Sequence, residues 1–302
     1  MNKEELLKLY NLELDELLEL SSKYIKNEIE FCSLINARNG KCSQNCKYCA
    51  QSSHYCTNIE SYPLVDIEEV KKAALDAKAN KASRFAIVTS GKTPDEGRDF
   101  QIELDMIKEI NKIEGLKSCA SIGILNEEQA KQLAAAGLKR FHHNINTSRS
   151  YYPEVCTTHT FEDRVNTCKL VKKYGMELCC GVILGMGESI EQRVEMALNL
   201  AEIQPDSIPI NILMPIPETP FENYHDKIDE ENVLRTLAIF KIANPNSVLR
   251  FCGGRMRLSE ENQKKALQTC VEGIMVGNYL TTIGKAPEED IKTVQELGKT
   301  LV

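Results

Sequence analysis

The segment NGKCSQNCKYCAQSS, residues 39–53, places Cys42, Cys46 and Cys49 in a Cys-x3-Cys-x2-Cys spacing. Thiolates grouped this closely are metal ligands by type, because soft sulfur donors select zinc and iron–sulfur clusters. The spacing is not that of a zinc finger, which needs a second ligand pair at matching separation; Cys179 and Cys180 are adjacent and cannot be that pair. Ferredoxin-type runs give four thiolates to their clusters. Three thiolates in one tight loop suit a four-iron cubane with one iron left without a protein ligand. An open iron is where such a cluster would carry out chemistry.

The rest of the chain must position that loop. Its 302 residues are 42% hydrophobic, enough for a sizeable core, and 37 basic against 44 acidic side chains leave a net charge of −7. Basic residues are not clustered, which argues against a nucleic-acid partner. No apolar run reaches the roughly 18 residues of a membrane span. The N-terminal segment MNKEELLKLYNLELDELLEL is charged throughout, unlike a secretory signal, so a cytoplasmic location is expected. In a reducing compartment, the twelve cysteines are metal ligands, catalysts or small core residues rather than disulfides. The isolated Cys32, Cys56, Cys168 and Cys270 read as structural.

Residues 3–30 carry apolar positions at helical spacing and read as an N-terminal helical extension. After them, β-prone runs alternate with amphipathic ones. Strands are predicted at 33–38, 83–91, 117–123, 140–146, 178–185, 207–213, 247–254 and 273–280, with helices such as 66–80 and 126–137 between them. Asn126 reads as a cap and Gly137 as a stop. Eight strands alternating with helices predict an α/β fold, a (β/α)8 TIM-type barrel over residues 31–302, with an open sheet as the alternative. No interior linker divides the chain. The cysteine loop follows the first strand, at the end of a barrel where active sites are built.

With Tyr48 just before its last cysteine, the loop resembles the signature of the radical S-adenosylmethionine (SAM) superfamily. The resemblance implies a 4Fe–4S cluster on Cys42, Cys46 and Cys49, its open iron chelated by the amino and carboxylate groups of SAM. One electron from the reduced cluster then cleaves the sulfonium to methionine and a 5′-deoxyadenosyl radical. The cofactor carries this chemistry while the protein positions it and excludes water. The segment GVILGMGE at 181–188 fits a Gly-x-Ile-x-Gly-x-x-Glu pattern on Gly181, Ile183, Gly185 and Glu188, which by resemblance lies along the adenosine.

The segments CKYCAQSS, SCASIG, HNINTS, TTHTFEDR, GVILGMGES, SIPINIL, GGR and GNYLTT narrow the resemblance to the biotin synthase family, over about residues 30–298. That family inserts sulfur between two unactivated carbons of dethiobiotin, and the sulfur resembles a sacrificial donation from a second iron–sulfur cluster deep in the barrel. The resemblance places the auxiliary-cluster positions at Ala86, Cys119, Cys179 and Arg250, and gives Arg250 a place in catalysis. Ala86 departs from the pattern, since well-known members carry cysteine there and alanine cannot bind iron.

Strand parity offers replacements. Residues two apart share a face, so Arg250 and Cys252 point the same way, while Cys180 opposes Cys179 and faces the helices. The expectation is a remodelled auxiliary cluster on Cys119, Cys179 and Cys252, with Arg250 or Cys156 near or on it. It is either the usual 2Fe–2S pair or a larger cluster.

By the same mapping Arg164 meets the SAM carboxylate, where a guanidinium fork suits a planar anion. His142, Asn144, Asn146 and Asn211 match or replace positions that contact the substrate's ureido ring, where amides offer donor and acceptor together. Asn146 and His142 stand where familiar relatives carry aspartate and asparagine. His142 reads as a cavity histidine before a proton-transfer group.

The resemblance further implies a homodimer, a flavodoxin or ferredoxin-type electron donor, and iron–sulfur assembly machinery as partner. Two other readings stay open on the sequence. One is a radical enzyme resembling hydrogenase-cofactor maturases or methylornithine synthase; the other is a cluster-bearing electron carrier.

Overall fold

A computed structural model describes residues 1–94, 97–277 and 285–302. Its strands are β1 (Glu28–Arg38), β2 (Arg84–Thr89), β3 (Lys117–Ser121), β4 (Arg140–His142), β5 (Glu177–Cys179), β6 (Val182–Leu184), β7 (Ser207–Ile212), β8 (Val248–Phe251), β9 (Gly273–Met275) and β10 (Thr300–Leu301). Successive strands pair in parallel from β1 to β9, and β9 pairs back to β1, which closes the barrel. The short β10 pairs with the start of β1 outside that ring.

β5 and β6 are one barrel strand with an interruption, so the barrel has eight. Cys179 pairs with Ser207 and Val182 with Ile210, the same register on both sides of the gap. The gap lies opposite Pro209, which has no N–H to give the ladder. Gly181 is needed there because a Cβ would stand 1.9 Å from the Pro209 carbonyl oxygen.

Helices with side-chain N-caps connect the strands. Asn126 forms a capping box with Gln129 ahead of Glu127–Ala135, as the sequence predicts, and Asp66, Thr160 and Ser189 cap three other helices. Their apolar faces pack on the outside of the barrel, where Val70, Ile107, Leu133, Val171, Val194 and Leu237 are buried.

Three boundaries differ from the sequence reading. The N-terminal helices are Lys3–Tyr10 and Leu14–Ser22, and β1 begins at Glu28, so the extension stops short of residue 30. β4 ends at His142 rather than 146, since Asn146 takes a left-handed φ of 67°. The eighth strand ends at Met275; residues 278–280 of its predicted span lie outside the described residues, as does most of GNYLTT.

Candidate active site

Each barrel strand turns alternate residues inward. At the N-terminal end, the inward residues are charged. Arg84 Nε donates to Glu30 at 2.6 Å and Arg140 Nη1 to the same carboxylate at 2.9 Å, while both arginines also bind Glu177. Arg250 joins through Glu30, and its Nε donates to Ser207 Oγ at 2.8 Å. Burial alone would raise the Glu30 pKa, but Arg250, Arg140 and Arg84 together hold the carboxyl well below its usual range. This floor of three guanidiniums and two carboxylates keeps one net positive charge.

Above the floor, Cys119, Cys179 and Cys252 are buried. Burial pushes Cys119 up to about 12 despite the pull of Arg140 and Arg84. It also raises Cys179 and Cys252, again against nearby arginines. Cys180 takes the opposite face and meets Cys168 on the helix Phe161–Lys173, as parity predicts. Higher still lies a cavity of about 400 Å³, within the range of small-molecule sites. Ala86, His142 and Cys252 border it below, and the cysteine loop borders it above.

The loop leaves β1 through Gly40 (φ 80°) and Lys41 (φ 54°). Cys42 pairs with Ser52 across its neck, and Cys49 N–H donates to the Cys46 carbonyl at 3.0 Å. Cys42, Cys46 and Cys49 all line the cavity as free thiols. Their sulfurs do not all lie within 4.8 Å of one another, too wide for one ion, while a multi-iron cluster puts metal and sulfide between its ligands. Burial raises Cys49 to about 11, and it raises the phenol of Tyr48 beside it. These thiols ionise when they take up iron, as metal ligands must.

Arg164 lines the same cavity. It donates to Tyr152 Oη at 3.2 Å and to His159 Nε2 at 2.9 Å. A guanidinium cannot accept, so His159 Nε2 is the acceptor and Nδ1 carries the proton. Nδ1–H then faces Gln44 Oε1 at 3.0 Å and Cys156 Sγ at 3.1 Å. Cys156 also takes a hydrogen bond from Cys46 at 3.7 Å, which raises Cys46 and lowers Cys156. Cys156 thus sits against Cys46 of the cysteine loop, away from the deep thiols, and its assignment to the auxiliary cluster is corrected. The helix Tyr152–Val155 delivers it to the cysteine loop instead of the floor. With both ring nitrogens engaged, His159 has no lone pair left for metal.

The segment at 181–188 borders the cavity through one side chain. Only Ile183 lines the cavity. Gly181 serves the approach of β7, and Gly185 turns the chain at a φ of 90°. Glu188 is buried, accepts from the N–H groups of Gly185 and Met186 at 2.8 Å each, and pairs with Arg193. It shapes the loop without facing the cavity.

His142, Asn144, Asn146 and Asn211 all line the cavity, as does His143, which the parity rule points elsewhere. The chain leaves extended geometry after His142, so alternation stops applying. Asn144 Oδ1 accepts from Gly181 N–H at 3.0 Å, and Asn211 bridges Gly253 N–H and the Val182 carbonyl. Burial lowers the His142 pKa to about 3, helped by Arg140, Arg250 and Arg84, so the ring is neutral at physiological pH. His142 Nε2 and Arg250 Nη1 are buried polar atoms without a hydrogen-bond partner. Orphaned buried donors are costly. With the buried thiols of Cys119, Cys179 and Cys252 they make a set of groups that an anionic, sulfur-rich ligand fits.

Sequence reasoning overlooked the floor charges Glu30, Arg84, Arg140 and Glu177. Their signal was a charged residue at or near the start of four strands, β1, β2, β4 and β5. It also set Cys32 aside as structural. The sulfur of Cys32 faces the Ile274 carbonyl at 3.7 Å, inside the barrel with the other deep thiols.

A parallel barrel with a three-thiol loop at its C-terminal mouth defines a radical SAM protein, and the model of the radical SAM superfamily matches residues 38–201. The Biotin and Thiamin Synthesis associated domain matches residues 209–300. The chain is 45% identical over 280 residues to a biotin synthase of Acetivibrio thermocellus, covering 93% of this chain and 87% of that one. It is 40% identical over 296 residues to a biotin synthase of Clostridium tetani, covering 97% and 90%. The chain belongs to the biotin synthase family of radical SAM enzymes. A methylornithine synthase structure superposes with a TM-score of 0.84 over 100% of this chain and 94% of its own, at 16% identity. That likeness shows the shared barrel alone and does not favour the alternative reaction. Among the described residues, no helix is long and apolar enough to cross a membrane.

Proposed function

We propose that this enzyme inserts sulfur into dethiobiotin to form biotin, in a cavity that joins two iron–sulfur sites. The supporting observation is that one cavity of about 400 Å³ runs from Cys42, Cys46 and Cys49 at the mouth to Cys252 above the charged floor. When bound, SAM and the 4Fe–4S cluster on the loop thiols supply the radical that breaks unactivated C–H bonds. Tyr48 and the loop backbone hold those thiols, and Arg164 holds the SAM carboxylate. Arg164 is itself aimed by Tyr152 and His159.

Asn144 and Asn211 are fixed by backbone partners, so each presents its remaining donor and acceptor capacity in one orientation to a neutral urea. His142 contributes as a neutral ring and Asn146 turns the chain around them. Cys119, Cys179 and Cys252 carry the sulfur-donating cluster, which is 2Fe–2S or larger. Arg250 offers Nη1 to it, since its other nitrogens are taken by Ser207 and Glu30. Family membership supports a cytoplasmic homodimer, a flavodoxin or ferredoxin-type reductant, and assembly proteins that restore the spent cluster. The helical extension precedes one barrel domain in this reading.

The test is anaerobic turnover of reconstituted enzyme with SAM, reductant and dethiobiotin. Biotin forms with about two 5′-deoxyadenosines per product, one for each C–H bond broken. Deoxyadenosine without any thiolated product overturns the substrate; no deoxyadenosine at all overturns the radical reading.

A further inference from the structure

The loss of the usual thiol at Ala86 leaves the deep site one ligand short, and the barrel places another cysteine beside it. On β1, the inward positions are Glu30, which enters the floor, Leu34, which lines the cavity, and Cys32 between them. Cys32 is 4% exposed. Among the described residues it stays outside the hydrophobic core cluster, as do Cys119, Cys179 and Cys252, whereas Cys46 and Cys156 at the loop and Cys168, Cys180 and Cys270 outside the barrel pack within it.

The strand positions give the stronger argument. A TIM-type barrel fills its interior in layers whose four side chains come from alternate strands. With β5 and β6 counted as one, the register steps up two residues on every second strand, so Cys32, Cys119, Cys179 and Arg250 share one layer on the first, third, fifth and seventh strands, and Cys252 follows one inward step above Arg250, just past the end of β8. Ala86 stands on the second and belongs to the intervening set. Cys32 pairs with Arg84 and with Met275, while Ala86 pairs with Leu34 and Cys119. Cys32 is therefore one inward step closer to the floor than Ala86, about 7 Å along the strand. No three of these four sulfurs lie within 4.8 Å of one another, so no single ion is held by three of them. Arg250 Nη1, buried and without a partner, lies beside them.

We propose that Cys32 supplies the thiolate that Ala86 lacks, so that Cys32, Cys119, Cys179 and Cys252 together hold the second cluster. This rests on the reading of a sulfur-donating cluster above the floor. Arg250 is then a positioning donor to that cluster and not its fourth ligand, because the fourth place is filled by sulfur.

Anaerobically reconstituted wild type, Cys32→Ala, Cys32→Ser and the double variant Cys32→Ala/Ala86→Cys are compared by iron and sulfide content and by Mössbauer spectroscopy. Cys168→Ala, a thiol on a helix outside the barrel, is the control. Both single Cys32 variants lose the second cluster's signal, or shift it to a species with less iron. The loop cluster, and the deoxyadenosine it forms without dethiobiotin, stay within about twofold of wild type. The double variant regains a second cluster, because the thiol at 86 offers the family's own ligand position. A second-cluster signal in both Cys32 variants that matches wild type overturns the assignment. So does loss of both clusters that Ala86→Cys does not restore. Failure of the underlying reading looks different: wild type itself then shows only the loop cluster, and Cys119→Ala changes nothing.

Discussion

Cys42, Cys46 and Cys49 reach their site from one loop of eight residues, whereas Cys119, Cys179 and Cys252 come from three strands separated by whole helices. The loop thiols sit at the mouth, among groups that can adjust. The deep thiols sit on rigid strands over a floor of buried charge. A contiguous loop specifies its ligands by spacing and tolerates little variation in it. A barrel layer specifies its ligands by parity and strand order, so a thiol lost from one strand can be replaced from the next. On the proposed assignment, this difference lets the chain keep one cluster motif intact while the other takes a new ligand in place of Ala86.

The comparison can be broken most forcefully at the loop. Cys46→Ala should abolish deoxyadenosine formation, a loss of at least about 10³-fold, because the radical source depends on every one of three ligands. Chromatographic quantitation of the nucleoside checks this. A variant retaining a tenth of wild-type activity would mean that Cys156, 3.7 Å from Cys46, substitutes for it.

Glu30→Gln addresses the floor. It leaves Arg84, Arg140 and Arg250 facing one another with Glu177 alone, and breaking such a buried network costs about 3–5 kcal/mol. A thermal melt near neutral pH reads the loss, and an unchanged midpoint would show that the floor carries no stability. The same carboxyl sets an acid dependence. Its pKa is lowered in the fold, so its contribution is full above the ordinary carboxylate value of 4.5. It disappears as pH falls below that value towards the folded one. Glu30→Gln flattens that part of the stability profile.

A smaller and more selective effect separates the two sites. Cys252→Ala should leave deoxyadenosine formation within about threefold while biotin falls about a hundredfold or more, since it removes a ligand of the sulfur source only. Cys156→Ala, beside the cysteine loop, should leave the second cluster's spectrum unchanged. Equal losses of both products in Cys252→Ala would merge the sites into one function. The smallest effect belongs to His142. Its folded pKa of about 3 keeps it uncharged throughout the neutral range, so His142→Gln should weaken dethiobiotin binding without moving the pH profile of turnover between about pH 6 and 8. A titration step that vanishes with His142 would make it a proton-transfer group.

Legibility in the sequence follows the same division. The cysteine loop could be read whole, because its ligands are neighbours in the chain. The eight strands could be read as β-prone runs between amphipathic helical ones, since each is buried both on the barrel interior and beneath the helices. What failed were the places where alternation gives way to loop geometry. Cys156 was attributed to the deep site because nothing in YYPEVCTTHT shows which way its loop turns. Asn146 turns with a left-handed φ, so the predicted parity of β4 ended early. Cys32 was overlooked for a related reason. Helical spacing was carried through residue 30, which hid the start of β1 at Glu28 and with it the alternation of Glu30, Cys32 and Leu34.

The charged floor also turns the barrel into a blind tube. Among the described residues, Arg84, Arg140 and Arg250 are almost fully enclosed and cross-tied by Glu30 and Glu177, so paired charge closes the lower end of the barrel to iron and sulfide. Any replacement atoms must descend by the route that SAM and dethiobiotin use, past Arg164 and the loop. Working and refitting then exclude each other in time, and an enzyme waiting for sulfur has to stand empty. SAM at saturating concentration should accordingly slow the return of iron to the deep site in a cluster-depleted sample; recovery at an unaltered rate would reveal a second doorway.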